Sequence, residues 1–193
     1  MIVYCATTNP GKIAEFRMAA SDAIIIEPLP GLPGIAPCDE TGSTFEANAI
    51  EKAIYYGAHT KGWLFAEDSG LAVDALGGEP GVYSARFAGD HASDDANNRL
   101  VLERLAGSMN RTARFVCVIG LVHDGSLVQT FRGEVEGEIL FEPRGEHGFG
   151  YDPLFYYPPF GCSFGEIARE RKQAVSHRGR ALELLITYLK PQS

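Results

Sequence analysis

The sequence predicts a mixed α/β fold, a sheet with flanking helices. Three observations carry this. Short apolar, partly β-branched runs alternate with stretches of helical periodicity, beginning with Ile2-Val3-Tyr4-Cys5-Ala6. The run from Arg114 to Val122 is nearly continuous apolar sequence, as a central strand covered on both faces requires. Directly after it, His123-Asp124-Gly125-Ser126 carries an Asp-Gly hairpin signal, which adds an antiparallel element and excludes a regular βαβ series.

The elements follow in order. Thr7 to Lys12 breaks the first strand, and Ile13, Phe16 and Ala20 then mark one face of a helix. Ile24-Ile25-Ile26 predicts a second strand, and the proline- and glycine-rich stretch from Pro28 to Pro37 a loop. Ser43-Thr44-Phe45-Glu46 fits a capping box with Ser43 as the cap. The helix it opens carries Phe45, Ala49, Ala53 and Tyr56 on its apolar face and runs to about Gly57. Trp63-Leu64-Phe65-Ala66 predicts a third strand ending at the acidic pair Glu67-Asp68, and Leu71 to Leu76 a further one before the turn Gly77-Gly78-Glu79-Pro80-Gly81. Ser93 is placed to cap a helix through Leu105, with Asp94 and Asp95 suiting its positive end. After the hairpin, the alternation of Leu127, Gln129, Phe131 and Val135 predicts a half-exposed return strand. A last helix starts near Ser176 and buries Ala181, Leu182, Leu185 and Leu189. No repeat or linker interrupts residues 1–193, which read as one domain.

The bulk properties exclude several function classes. A net charge of −8 and a pI of about 5.1 do not suit a binder of polymeric nucleic acid, which needs clustered cations to displace counterions. A small anionic ligand needs only a few local cations. Cys5, Cys38, Cys117 and Cys162 lie far apart without zinc-ligand spacing and read as reduced thiols. No basic leader precedes the first apolar run, and no run approaches the roughly 20 residues of a membrane span. These features predict a cytoplasmic protein with no membrane partner.

The familiar phosphate and nucleophile motifs (G-x-x-x-x-G-K-[ST], G-x-G-x-x-G and G-x-S-x-G) do not occur. Four other segments carry chemistry. Thr7-Thr8-Asn9-Pro10-Gly11-Lys12 leads from a strand into a helix N-terminus, where unpaired N–H groups, hydroxyls and Lys12 suit phosphate oxygens; taken alone its spacing fits an ordinary connection better. Glu67-Asp68, followed by Ser69-Gly70, places two carboxylates where α/β sheets hold their sites. With Asp39-Glu40 ahead of the second helix, they match the preference of Mg²⁺ for one or two carboxylates plus waters and substrate phosphates. The plain alternative is a solvated acidic turn. Gly148-Phe149-Gly150-Tyr151-Asp152-Pro153 sets two aromatics in a glycine loop, suited to stacking on a planar base or simply to covering the core. Lys172 with Ser176-His177-Arg178 adds cations at a helix start, able to fork onto a phosphate or carbonyl oxygen or to remain on the surface.

In this order the segments resemble the inosine triphosphate pyrophosphatase family, over nearly the whole chain from Thr7 to Arg180. The likeness also covers Asn48-Ala49-Ile50-Glu51-Lys52-Ala53, Gly70 through Gly78, and Pro80 through Arg86. The resemblance implies an elongated two-lobed fold around a central substrate cleft and a homodimer. It further implies Mg²⁺-dependent cleavage of non-standard purine nucleoside triphosphates (ITP, dITP, XTP) to the monophosphate and pyrophosphate. By position, Asp68 is the implied general base, with Glu40, Asp68 and Glu67 on the metal side. Thr7, Thr8, Asn9, Pro10, Gly11, Lys12, Lys52, Lys172 and Ser69 are implied phosphate contacts. Phe149, Gly150, Tyr151 and Asp152, with His177 and Arg178, are implied to enclose and read the base. Many relatives carry glycine where this chain has Thr8, so a Cβ enters a loop that approaches the ligand closely. Two rival readings share the motifs: a pyrophosphatase of pyrimidine or modified nucleotides, and a non-catalytic nucleotide binder. Turnover across a nucleotide panel separates all three.

Overall fold

The computed structural model describes residues 1–20 and 23–190. Its seven strands form one sheet in the order β2-β1-β3-β4-β5-β6-β7. They are β1 (Ile2–Cys5), β2 (Ile25–Pro28), β3 (Trp63–Val73), β4 (Thr112–His123), β5 (Ser126–Ile139), β6 (Phe155–Tyr157) and β7 (Cys162–Ser163). The helices are α1 (Pro10–Ala19), α2 (Phe45–Gly57), α3 (Asp94–Arg104), α4 (Arg169–Gln173) and α5 (His177–Leu189). None is long and apolar enough to cross a membrane, among the described residues. The mixed α/β class read from the sequence is the class observed.

The chain divides into two compact units, the first comprising Met1–Asp68, Cys117–Gly133 and His177–Ser193, the second Ser69–Val116 and Glu134–Ser176. In the first unit β1 pairs in parallel with β2, Val3 opposite Ile26, and with β3, Val3 opposite Trp63. Helices α1 and α5 pack together there. The apolar side chains of α5 predicted to be buried, Ala181, Leu182, Leu185 and Leu189, join Val3, Phe16, Phe65, Cys117 and Ile119 in one core. Phe16 meets Phe65 edge to face at 5.0 Å between ring centres, the arrangement that aromatic quadrupoles favour. A second cluster, with Leu29, Leu64, Ala53 and Val122, lies under α2. Glycine at 120 lets α2 approach β4, since a Cβ there would meet the Ala49 carbonyl oxygen at 2.8 Å.

The second unit has its own core of Leu71, Val73, Val101, Phe115, Leu154, Phe155 and Phe164. Strands β5, β6 and β7 pair antiparallel, with Ile139 opposite Phe155 and Tyr156 opposite Ser163. Ser93 caps α3 as expected, its side chain accepting from the Ala96 N–H.

Three expectations change. The cap of α2 is Thr44, one residue later than predicted, and its side chain accepts from the Ala47 N–H at 3.1 Å. Glu46 therefore falls at the second helical position and accepts instead from Thr130 Oγ1 at 2.9 Å, so no capping box forms. The third strand does not end at the acidic pair: β3 continues through Glu67 and Asp68 to Val73, merging two predicted strands into one. Buried carboxylates do not break it because each finds cationic partners, described below. The loop predicted from Pro28 starts one residue later, since Pro28 closes β2 opposite Cys5.

Candidate active site

Because β3 runs straight through Glu67-Asp68, the two carboxylates point to opposite faces of the sheet. That alternation divides the first unit's polar residues into two groups, each assembled by a different helix.

Helix α2 supplies the group around Asp68. Asn48 and Lys52 are four residues apart and so share one face of the helix. Lys52 Nζ donates to Asp68 Oδ1 at 2.7 Å and to Glu40 Oε1 at 3.0 Å, while Asn48 Nδ2 donates to Asp68 Oδ2 at 3.2 Å. Asn48 Oδ1 accepts from the Gly42 N–H at 2.8 Å, and Glu51 takes both the N–H and the hydroxyl of Thr41. These bonds pin the segment carrying Glu40 onto α2. Burial pushes the Asp68 carboxyl above its ordinary value; Lys52 opposes this, and the nearby Glu40 and Glu67 charges add to it. Lys52 would be lowered by burial, but Asp68 and Glu40 outweigh that and raise it. The outcome is a firmly charged ammonium beside a carboxylate that takes up a proton more readily than an exposed one.

The Glu67 group is built by α1 and α5. Pro10 opens α1 and Asn9 caps it, accepting from the Lys12 N–H at 3.1 Å. Thr7 Oγ1 accepts from the Asn9 N–H at 3.2 Å, so the loop before the helix is held by its own side chains. Lys12 then reaches Glu67 Oε1 as a close ion pair. Arg178 lies 3.7 Å from Glu67 Oε2 through Nε and donates to Glu15 Oε2 at 2.5 Å. The Cys117 thiol also donates to Glu67 Oε2, at 3.3 Å. Burial alone would raise the Glu67 carboxyl, yet Lys12 and Arg178 hold it well below the usual carboxylate range. Burial and the Glu67 charge push the Cys117 thiol far up, so it stays protonated.

In the second unit, Asp152 Oδ2 accepts from Lys172 Nζ at 2.6 Å and from the Phe149 N–H at 2.9 Å. Lys172 Nζ also lies 4.9 Å from the centre of the Phe149 ring, within cation–π range. Tyr151 is anchored by its hydroxyl, which donates to the Ser84 carbonyl at 2.6 Å.

The sequence-predicted residues therefore fall into three places. Glu40, Lys52 and Asp68 gather on one face of β3, and Lys12, Glu67 and Arg178 on the other. Phe149 to Asp152 and Lys172 gather in the second unit. Thr8 is exposed, Ser69 is the next residue of β3, and His177 is buried at the start of α5. Arg178, which the sequence left open to the surface, is only 2% exposed. Sequence reasoning missed Asn48, Glu15 and Cys117. The i,i+4 spacing of Asn48 and Lys52 and the i,i+3 spacing of Lys12 and Glu15 were the available signals, polar pairs on faces that turn inward.

A model of the Ham1 family matches residues 3–188. The chain belongs to the Ham1 family. A relative from an Exiguobacterium species, named dITP/XTP pyrophosphatase, is 48% identical over 192 residues, covering 99% of this chain and 98% of the relative. The Ham1-family fold is shared with the solved Ham1 protein of Staphylococcus aureus, at TM-score 0.90 and 39% identity over the full length of both chains. It is shared too with a Mycobacterium abscessus structure described as a nucleoside-triphosphatase / dITP/XTP pyrophosphatase, at TM-score 0.77 and 40% identity, again covering both chains completely.

Proposed function

We propose that this chain hydrolyses non-standard purine nucleoside triphosphates, dITP, XTP and ITP, to the monophosphate and pyrophosphate. Family membership and the names of its relatives support a nucleoside triphosphate pyrophosphatase, a hydrolase. The observation that carries the mechanism is the environment of Asp68. It is a buried carboxylate of raised proton affinity, oriented by Asn48 and Lys52 and separated by strand alternation from its acidic neighbour.

Asp68 accepts a proton from the water whose oxygen bonds to the α-phosphorus. The bond from that phosphorus to the bridging oxygen breaks, and pyrophosphate leaves with the electron pair. Lys52 and Lys12, with Lys172, offset charge on the triphosphate. The chain's residues fit Mg²⁺: Glu40 and Asp68 converge on a single cation, the Lys52 ammonium, so two carboxylate oxygens already share one cationic position. Mg²⁺ takes one or two carboxylates and leaves its other positions to water and phosphate. Bound between Glu40 and Asp68, Mg²⁺ would supply Lewis-acid charge stabilisation at the phosphates. Glu67 supports that centre at one remove, by fixing Lys12 and by its charge on Lys52.

The Phe149 to Asp152 loop is assigned to the base, and His177 and Arg178 to reading its 6-position. Inosine and xanthine carry an oxygen acceptor there and adenine an amino donor. Arg178 keeps its charge, because Glu67 and Glu15 outweigh the effect of burial. Leaving a buried donor against an amino group loses on the order of 10⁴-fold in rate. The proposal includes a cytoplasmic homodimer, which sedimentation and fractionation test. The mechanistic test is Asp68→Asn: pyrophosphate release should fall at least ~10³-fold while nucleotide affinity changes only a few-fold. Full activity of that variant would remove Asp68 from the chemistry.

A further inference from the structure

The loop assigned above to the base is held by a helix that the proposed mechanism does not use. Gly150 lies at its tip, with φ of 63°, in the left-handed region that glycine occupies without steric penalty. Both polar groups of this one residue are taken by α3. The Gly150 N–H donates to Asp94 Oδ2 at 2.6 Å, and the Gly150 carbonyl accepts from Asn98 Nδ2 at 2.9 Å. Asp94 and Asn98 are four residues apart and therefore rise from one face of the helix. Flanking Gly150 are Phe149, whose ring lies under the Lys172 ammonium, and Tyr151, whose hydroxyl is bound to Ser84.

Helix stability does not account for Asn98. Asparagine is a poor helix former, and this one is 5% exposed, where an apolar residue would serve packing better. Its Oδ1 is buried without a hydrogen-bond partner among the described residues. Reversing the amide would set that oxygen against the Gly150 carbonyl. Among the described residues the one hydrogen bond of this buried amide goes to the loop. Its neighbour Asn97 does comparable work elsewhere, bridging the Ala88 N–H and the Ala85 carbonyl. Nor is Asp94 needed to start the helix, since Ser93 caps it and Asp95 supplies first-turn negative charge.

We propose that Asp94 and Asn98 form a two-point clamp on Gly150 that presets the Phe149 loop for a purine base, making them specificity-determining positioning residues. This rests on the reading of that loop as a base contact. A preset loop spares the ordering that would otherwise be charged against substrate affinity, so its loss appears in KM before kcat.

The test compares Asp94→Ala and Asn98→Ala with Asp95→Ala, which removes the same charge from the same turn without touching the loop, and with Asp94→Asn, which keeps an acceptor for the Gly150 N–H. KM for dITP should rise roughly tenfold in the two clamp variants, the worth of about one hydrogen bond, with kcat within about threefold. The dITP over dUTP ratio of kcat/KM should fall by a similar factor, since the loop is preset for a purine. Asp95→Ala should leave that ratio unchanged, and Asp94→Asn should recover most of the lost affinity. Unchanged KM in Asp94→Ala, or an equal effect in Asp95→Ala, overturns the clamp. Asp94 is exposed and its variants keep the Ser93 cap, so the test holds even where Asn98→Ala does not fold. If the unaltered chain turned over no nucleotide, the base-contact reading would fail and take the clamp with it. A selective parent enzyme with equally selective clamp variants would defeat the clamp alone.

Discussion

Replacing Glu67 by Gln changes one buried charge with almost no change in shape, and the structure fixes what should follow. With Lys12, Arg178 and Glu15, Glu67 forms a linked set of two cations and two anions. These four charges balance. The substitution leaves one surplus positive charge where the Arg178 and Glu67 side chains are each only 2% exposed. Removing one partner of a buried ion pair costs about 3–5 kcal/mol. Arg178 keeps Glu15, and the Lys12 side chain is 23% exposed and can hydrate, so the low end applies, about 3 kcal/mol. For a chain of this length that lowers Tm by roughly 6–12 °C. The pH dependence has a definite sign. Glu67 is held ionised far below its ordinary value of 4.5, so unfolding takes up a proton once the pH falls below about that value. Its stabilisation is present in full above pH ~4.5 and is lost progressively in more acid solution. Thermal unfolding followed from pH 7 to pH 3 should show the unaltered chain losing stability steeply at the acid end and Glu67→Gln losing less. A Tm within about 2 °C of the unaltered chain at pH 7, or the same acid slope in both, would refute the charge-balance argument.

Two further outcomes follow from other residues. Since burial raises the Asp68 carboxyl, kcat should climb with pH through a range above that of an exposed aspartate, and Lys52→Met, which removes the opposing cation, should move that rise higher still; a pH–rate profile in which Lys52→Met moved the rise lower would contradict the assignment. Gly70→Ala places a Cβ against Ser84 Oγ and 2.6 Å from the Gly81 carbonyl oxygen, disturbing the bond from the Leu71 N–H to Ser84, so denaturation should show about 1–3 kcal/mol of lost stability.

Much of this architecture was legible because it follows from local patterns. The apolar run of β4, the Asp124-Gly125 turn and the Ser93 cap each announce themselves within a few residues. The acidic pair was legible as a feature but not as a location. An apolar strand that meets two carboxylates reads as ending, because unpaired buried charge is prohibitive. It continues here only because Lys12 and Arg178 arrive from α1 and α5 on one face and Lys52 and Asn48 from α2 on the other. Those partners lie between 16 and more than 100 residues away, beyond any window of periodicity. Arg178 is hidden for the same reason: its partner Glu15 is 163 residues distant. Thr44 displaced Ser43 as the cap of α2 because both hydroxyls satisfy the pattern, and Glu46 has another partner in Thr130.

The central claim is that this Ham1-family chain selects nucleotides by the base while cleaving the same phosphoanhydride. Pyrophosphate release with Mg²⁺ from dITP, XTP and ITP, measured beside dATP, dGTP and ATP, tests it most directly. Release should be rapid from the first three, with kcat/KM lower by on the order of 10⁴-fold for the adenine nucleotides. Equal rates on dITP and dATP would contradict the selection, and the absence of release from every nucleotide would contradict the hydrolysis itself.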